Sequence, residues 1–290
     1  MTAEHTLSVV EPDFSTYIQR HSADKTFAYK KVGKEDLSLG VFFPKNYDAA
    51  KKYPVFLCIH GGGWHSHKIF ADQTEWSGDY LGFLARYYAD KGFFAVSIDY
   101  RLLQAHGQKK GFQLSDLTAD CIDALGFVKA REKAWGLDFS RSVLLGESAG
   151  GYLAAALATF KHAFSCEIEA AILVNAICDM TDAYWGSYLP AEITDVRLFS
   201  PVHRMDESTP PVLLIHGRED HVVLPAHSRA FYNRMQTYRR PAELHLIEGT
   251  DHAFLLAEFM RETGRSAAAA GTGLEIIDNF LQKTFPSLKL

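Results

Sequence analysis

Residues 143–158 read VLLGESAGGYLAAALA, an apolar run that passes into an alanine-rich one through a serine bracketed by glycines. SVLLG (142–146) predicts a short buried strand, and the leucines and alanines after Tyr152 predict a helix. Gly146 and Gly150 stand two residues to either side of Ser148. Glycine there gives room to a backbone that crowds the neighbouring strand and helix. Such a turn lifts one hydroxyl above the carboxyl edge of a sheet. Chance also produces a glycine-bracketed serine, so the rest of the chain has to decide.

The same grammar recurs on both sides. YPVFLCIH (53–60), FFAVSIDY (93–100), EAAILVNAI (169–177), PVLLIHG (211–217) and AELHLIEG (242–249) read as further strands. Residues 80–92, 114–136, 153–163, 227–239 and 274–285 carry apolar side chains at three- and four-residue spacing, as amphipathic helices do. Strands apolar on both faces, alternating with such helices, predict an α/β fold. It would hold a mainly parallel, twisted sheet of about eight strands with helices on both faces. FAYKKV (27–32) and LSLGVFFP (37–44) predict an antiparallel hairpin at one edge, and RSAAAAGTG (265–273) a helix-end connection. No composition break divides residues 1–290, so one domain is expected, with 1–36 as an N-terminal extension. The least regular segment, 178–211, is expected to act as a small lid or a site-lining insertion.

Composition sets the class. The chain has 290 residues, 47% hydrophobic and 22% charged, with a net charge of −5, which offers no basic footprint for nucleic acid. The N-terminus lacks an apolar run of signal-peptide length, and no window approaches the ~20 apolar residues of a membrane span. A cytoplasmic location without a membrane partner is expected. Cys58, Cys121, Cys166 and Cys178 form no CxxC pair and read as free thiols.

A serine becomes a nucleophile when a histidine takes its proton and a carboxylate orients that histidine. LLIHGREDHVV (213–223) leaves a strand and offers Glu219 and Asp220; LIEGTDHAFL (246–255) leaves the next and offers His252. All three side chains would gather on one sheet edge. IHGGGW (59–64) adds consecutive glycines directly after a strand, whose unobstructed N–H groups suit an oxyanion hole. The helix N-terminus beneath Ser148 supplies further N–H groups and a positive dipole end.

Taken together, HGGGW, SIDYRL (97–102), GESAGG (146–151), HGREDHVV and EGTDHAF resemble the α/β-hydrolase superfamily from about residue 37 onward. Within it the similarity is to the hormone-sensitive-lipase-like esterases and their small acetyl-esterase relatives. The resemblance implies Ser148 as nucleophile, His252 as general base and Asp220 as orienting acid, Asp220 rather than Glu219 filling the family's position. It implies an oxyanion hole from the N–H groups of Gly61, Gly62 and Ala149, a structural Asp99, and an inward-facing Glu147 without a chemical step. It further implies a serine carboxylesterase for short-chain acyl esters, acetyl foremost, with acetylated oligosaccharides as candidate substrates. An arylformamidase-type amidase and a non-catalytic ligand receptor are the alternatives. Relatives with a large helical cap carry a long N-terminal segment; about 36 residues precede LSLGVFF here, so a small cap or none is expected.

Trp64, Tyr184 and Trp185 are candidate substrate-binding residues. His60, His65 and His67 lie close together but lack a carboxylate or cysteine at ligand spacing, so they are expected to shape the pocket rather than hold metal. Arg101 and Asp116 read as ion-pair partners. No metal and no cofactor is expected. The expected partner is a small-molecule ester, and an edge-strand or C-terminal-helix homodimer is compatible with the fold.

Overall fold

The computed structural model describes residues 22–65, 81–105, 108–109, 111–160, 168–252, 254–255 and 267–288. The strands are β1 (Lys25–Val32), β2 (Glu35–Phe42), β3 (Tyr53–Ile59), β4 (Phe94–Ile98), a two-residue hairpin of β5 (Gln104–Ala105) and β6 (Gln108–Lys109), β7 (Leu137–Glu147), β8 (Ala170–Val174), β9 (Val212–Gly217) and β10 (Ala242–Ile247). The helices are α1 (Gly82–Asp90), α2 (Leu114–Lys129), α3 (Ser148–Thr159), the single turns α4 (Ala183–Gly186) and α5 (Pro201–Arg204), α6 (Ala226–Thr237) and α7 (Ala267–Thr284).

Eight strands form one sheet in the order β1-β2-β4-β3-β7-β8-β9-β10. β1 and β2 pair antiparallel at the edge, β2 meets β4 antiparallel, and every later pairing is parallel. The continuous apolar runs follow from burial of both faces. Along β3, Val55, Leu57 and Ile59 enter a core shared with α2, α3 and α6, while Phe56 and Cys58 enter a second core shared with α1 and α7. Side chains alternate across a strand, so each strand fills both layers.

The expected edge hairpin is present, β1 pairing antiparallel with β2, and it begins at Lys25, inside the stretch expected as an extension. Residues 267–273, read as a connection, are helical because their alanines favour the final helix. The segment 178–211 contains α4, a 3₁₀ turn at Val196–Phe199 and α5, closed by local hydrogen bonds such as Met180 N–H to Ser200 Oγ at 2.7 Å. Cys58, Cys121 and Cys178 are buried free thiols; Cys166 lies outside the described residues. Among the described residues no helix is long and apolar enough to cross a membrane.

Crossing from β7 into α3 leaves no room for side chains at the glycines. A Cβ on Gly150 would lie 2.2 Å from the carbonyl oxygens of Ile59 and His60, and one on Gly146 would lie 2.3 Å from the Gly150 carbonyl oxygen. Backbone cannot yield as a flexible side chain can. Gly150→Ala should therefore destabilise the protein by about 3 kcal/mol or more, the upper end of overpacking costs. Urea unfolding measures this, and a loss below about 1 kcal/mol would contradict the packing described.

Candidate active site

Glu147 is extended and Ser148 turns to φ 52°, a left-handed conformation that costs a non-glycine residue about 1–2 kcal/mol. The tight β7–α3 junction imposes it, and the hydroxyl ends up facing the loop after β10. There His252 Nε2 lies 2.8 Å from Ser148 Oγ, and His252 Nδ1 lies 2.7 Å from Asp220 Oδ2. Asp220 is buried in the loop after β9, and its Oδ1 accepts the N–H groups of Val222 and Val223 at 2.8 and 2.9 Å. Glu219 points to solvent, which separates the two adjacent carboxylates.

The electrostatics assign the protons. Burial works against the charge on Asp220, but hydrogen bonds from His216 and His252, the imidazole charge and the Val223 N–H outweigh it and hold its pKa well below the carboxylate range. An ionised Asp220 places the proton of neutral His252 on Nδ1, leaving Nε2 to accept from Ser148. Burial also lowers the pKa of His252, yet the bond to Asp220 and the charges of Glu147, Asp220 and Asp251 raise it above the usual value.

Asn175 belongs to this arrangement and was not singled out by the sequence reading. Fully buried at the end of β8 with φ 45°, it donates its amide to the His252 carbonyl oxygen and accepts the Gly217 N–H at 2.8 Å. A polar residue closing an otherwise apolar strand was the available signal.

On the other side of Ser148, Gly62, Gly63 and Trp64 all take positive φ, at 93°, 62° and 62°. Gly61 is packed so tightly that a Cβ would lie 3.1 Å from Ser148 Cβ and 2.1 Å from Glu147 Oε2. Gly61 thus borders Ser148 on the β3 side, with Ala149 in the first turn of α3. Tyr100 braces the turn through its hydroxyl, which donates to the His60 carbonyl oxygen at 2.7 Å, and through ring stacking on His60 at 4.3 Å. Asp99 Oδ1 accepts the Tyr100 N–H at 2.8 Å. Arg101 grips Asp120 bidentately at 2.6 Å and stands 3.7 Å from Asp116.

The aromatic candidates divide. Trp64 is fully buried: its indole donates to the Ala149 carbonyl oxygen at 3.0 Å, and its ring packs edge-on against Tyr152 and Trp185. Trp64 and Trp185, both expected at the substrate, are 0% and 5% exposed and pack edge-on against each other as struts. Tyr184 is 61% exposed and, with Tyr188 and Phe112, lines a cleft of about 410 Å³ that Ser148, Asp220 and His252 do not line. His60 is likewise buried rather than pocket-lining, while His65 approaches Tyr188 at 5.2 Å; His67 lies outside the described residues. Among the described residues no group of three or more His, Cys, Asp or Glu is placed to hold a metal.

Glu147 is buried, its Oε1 3.9 Å from His252 Nε2 and its Oε2 without a hydrogen-bond partner among the described residues. Burial pushes its pKa up to about 7, partly opposed by the His252 charge and aided by Asp220.

A serine at a strand-to-helix turn, hydrogen-bonded to a histidine and through it to an aspartate on loops after later strands, stands beside what comparison with known proteins finds. The prolyl oligopeptidase family model covers residues 80–285. The chain belongs to that family. Its fold is the α/β-hydrolase fold, as in esterase Est2 of Thermogutta terrifontis, with TM-score 0.76, 26% identity, and 92% and 94% of the two chains covered. Structures of that esterase with propionate and with butyrate bound align equally well. The "Probable carboxylic ester hydrolase LipM" of Mycobacterium tuberculosis is 25% identical over 91% of this chain. The isoprenylcysteine alpha-carbonyl methylesterase ICME of Arabidopsis thaliana is 25% identical over 76%. The chain spans 62% and 54% of the lengths of these two relatives.

Gly61→Ala should cost about 1–3 kcal/mol of stability by driving a methyl into Glu147. Glu147→Ala in the same chain should restore at least half of that. A double-mutant cycle with coupling below about 0.5 kcal/mol would rule out the contact.

Proposed function

We propose that this protein is a serine carboxylesterase that hydrolyses short-chain acyl esters, acetyl foremost, through an acyl-enzyme. The observation that carries the reading is the bridge made by His252 between Ser148 Oγ and Asp220 Oδ2. Ser148 Oγ attacks the ester carbonyl while His252 Nε2 takes its proton, and Asp220 stabilises the resulting imidazolium. The N–H groups of Gly61, Gly62 and Ala149 receive the oxyanion. Collapse breaks the bond to the alcohol, which leaves with the proton from His252. Water then gives its proton to His252, attacks the acyl carbon, and releases the acid and Ser148.

The similarity to esterases, and to hormone-sensitive-lipase-like motifs in particular, supports an ester substrate. The short acyl group is supported by the propionate- and butyrate-bound structures of the Thermogutta terrifontis esterase. Acetylated oligosaccharides are the candidate natural esters. The family match favours one second reading, an amidase, because the same three residues serve amide cleavage.

Hydrolysis of p-nitrophenyl acetate, butyrate, octanoate and decanoate, beside the matching anilides and acetylated xylo-oligosaccharides, separates these readings. The rate should fall steeply beyond butyrate, anilides should be slow, and acetate should be released from the sugar. Ser148→Ala should reduce kcat at least about 10⁴-fold with the fold intact. Retained hydrolysis in that variant would overturn the proposal.

The pH profile gives a further check. His252 acts as a base only when neutral, so kcat/KM must rise with pH through its folded-state pKa. That pKa is raised, so the acid limb should have its midpoint above the ordinary imidazole value of about 6.5. A midpoint below that value would contradict the environment described for His252.

A further inference from the structure

Behind the carboxylate that holds His252 stands a second imidazole. His216, the penultimate residue of β9, is fully buried. Its Nε2 lies 2.8 Å from the Val223 carbonyl oxygen and 3.2 Å from Asp220 Oδ2. Both neighbours only accept, since Asp220 is ionised, so Nε2 must carry a proton. Nδ1 lies 2.7 Å from Ser228 Oγ on α6, and a neutral ring accepts the serine proton there. Ser228 O–H to Nδ1, then Nε2–H, bonded to the Val223 carbonyl oxygen and 3.2 Å from Asp220 Oδ2, makes a polarised chain that reaches the oxygen His252 also uses.

Asp220 is thereby saturated. Two backbone N–H groups hold Oδ1, and two imidazoles share Oδ2. We propose that His216 is a positioning residue: its Nε2–H, oriented by Ser228, keeps Asp220 Oδ2 aligned with His252 and moderates the carboxylate charge felt by that base. The inference rests on the esterase reading, in which His252 is the base.

The other charges near the pair come from identifiable directions. Glu147 at the end of β7, Asp251 beside His252, and Asp220 act on His252. His227 on α6, itself facing Asp179 and Asp182, and Asp220 stand near His216. Among these groups Glu147 faces the Nε2 side of His252, so a change at 216 leaves its influence in place. A side chain that merely filled space would need no proton at Nε2, and its replacement would alter stability without moving the titration of His252.

The test is the pH profile of kcat/KM for p-nitrophenyl acetate with wild type, His216→Leu, His216→Gln and Ser148→Ala. His216→Leu removes the donor and concentrates charge on Asp220, so the acid limb should move to higher pH by about half a unit or more. Its kcat should fall on the order of 10-fold, as for one lost hydrogen bond to a charged group, with KM within about twofold. His216→Gln places an amide N–H where Nε2–H stood and should recover most of both effects. An acid limb unmoved in folded His216→Leu, beside an inactive Ser148→Ala, would overturn this inference alone. An active Ser148→Ala would overturn the esterase reading beneath it. Should His216→Leu fail to fold, nitrogen-15 NMR of the wild-type histidines decides: a proton on Nε2 of His216 supports the inference, and a ring protonated at Nδ1 only overturns it.

Discussion

The turn from β7 into α3 constrains everything around it. Ser148 holds a left-handed backbone conformation in a junction where Gly146 touches Gly150 and Gly150 touches the end of β3. That contact sets the distance between Ser148 and the IHGGGW turn, because Gly61 lies against Ser148 and Glu147. Such strain persists only where surrounding structure over-determines it, and here a strand end, a helix and a neighbouring loop share the task.

The parallel sheet supplies the rest. β7, β8 and β9 run side by side in the same direction, with β10 beyond, so their carboxyl ends deliver Ser148, Asn175, Asp220 and His252 to one edge. Loops carry the reactive groups while the strands hold their spacing. Asn175 ties two of these ends together, binding Gly217 on one side and the His252 backbone on the other. The site's geometry therefore depends on sheet register as much as on the side chains of Ser148, Asp220 and His252.

Electrostatics divides the buried acids. Asp220 takes three hydrogen bonds and the nearby Nε2–H of His216 and is held charged, whereas Glu147 Oε2 receives none from the described residues and burial pushes that pKa up to about 7. Two carboxylates flank one imidazole with pKa values driven in opposite directions because their partners differ. The aromatic cluster of Trp64, Tyr152, Trp185 and Tyr188 fixes the IHGGGW turn to α3 and to the 178–211 segment.

The sequence by itself determined the layered α/β arrangement, because runs apolar at every position fit only strands buried on both faces, and helical periodicity marks the helices between them. It also marked Ser148, Asp220 and His252 as residues that would meet, since each follows a strand of the same sheet. Tertiary structure alone decided which aromatic rings are struts, that 267–273 is helical, that Glu219 faces solvent while Asp220 does not, and that His216 and Asn175 support the site. Spacing along a chain tells which residues share an edge; burial and hydrogen-bond partners arise between segments far apart in sequence, and no local pattern encodes them.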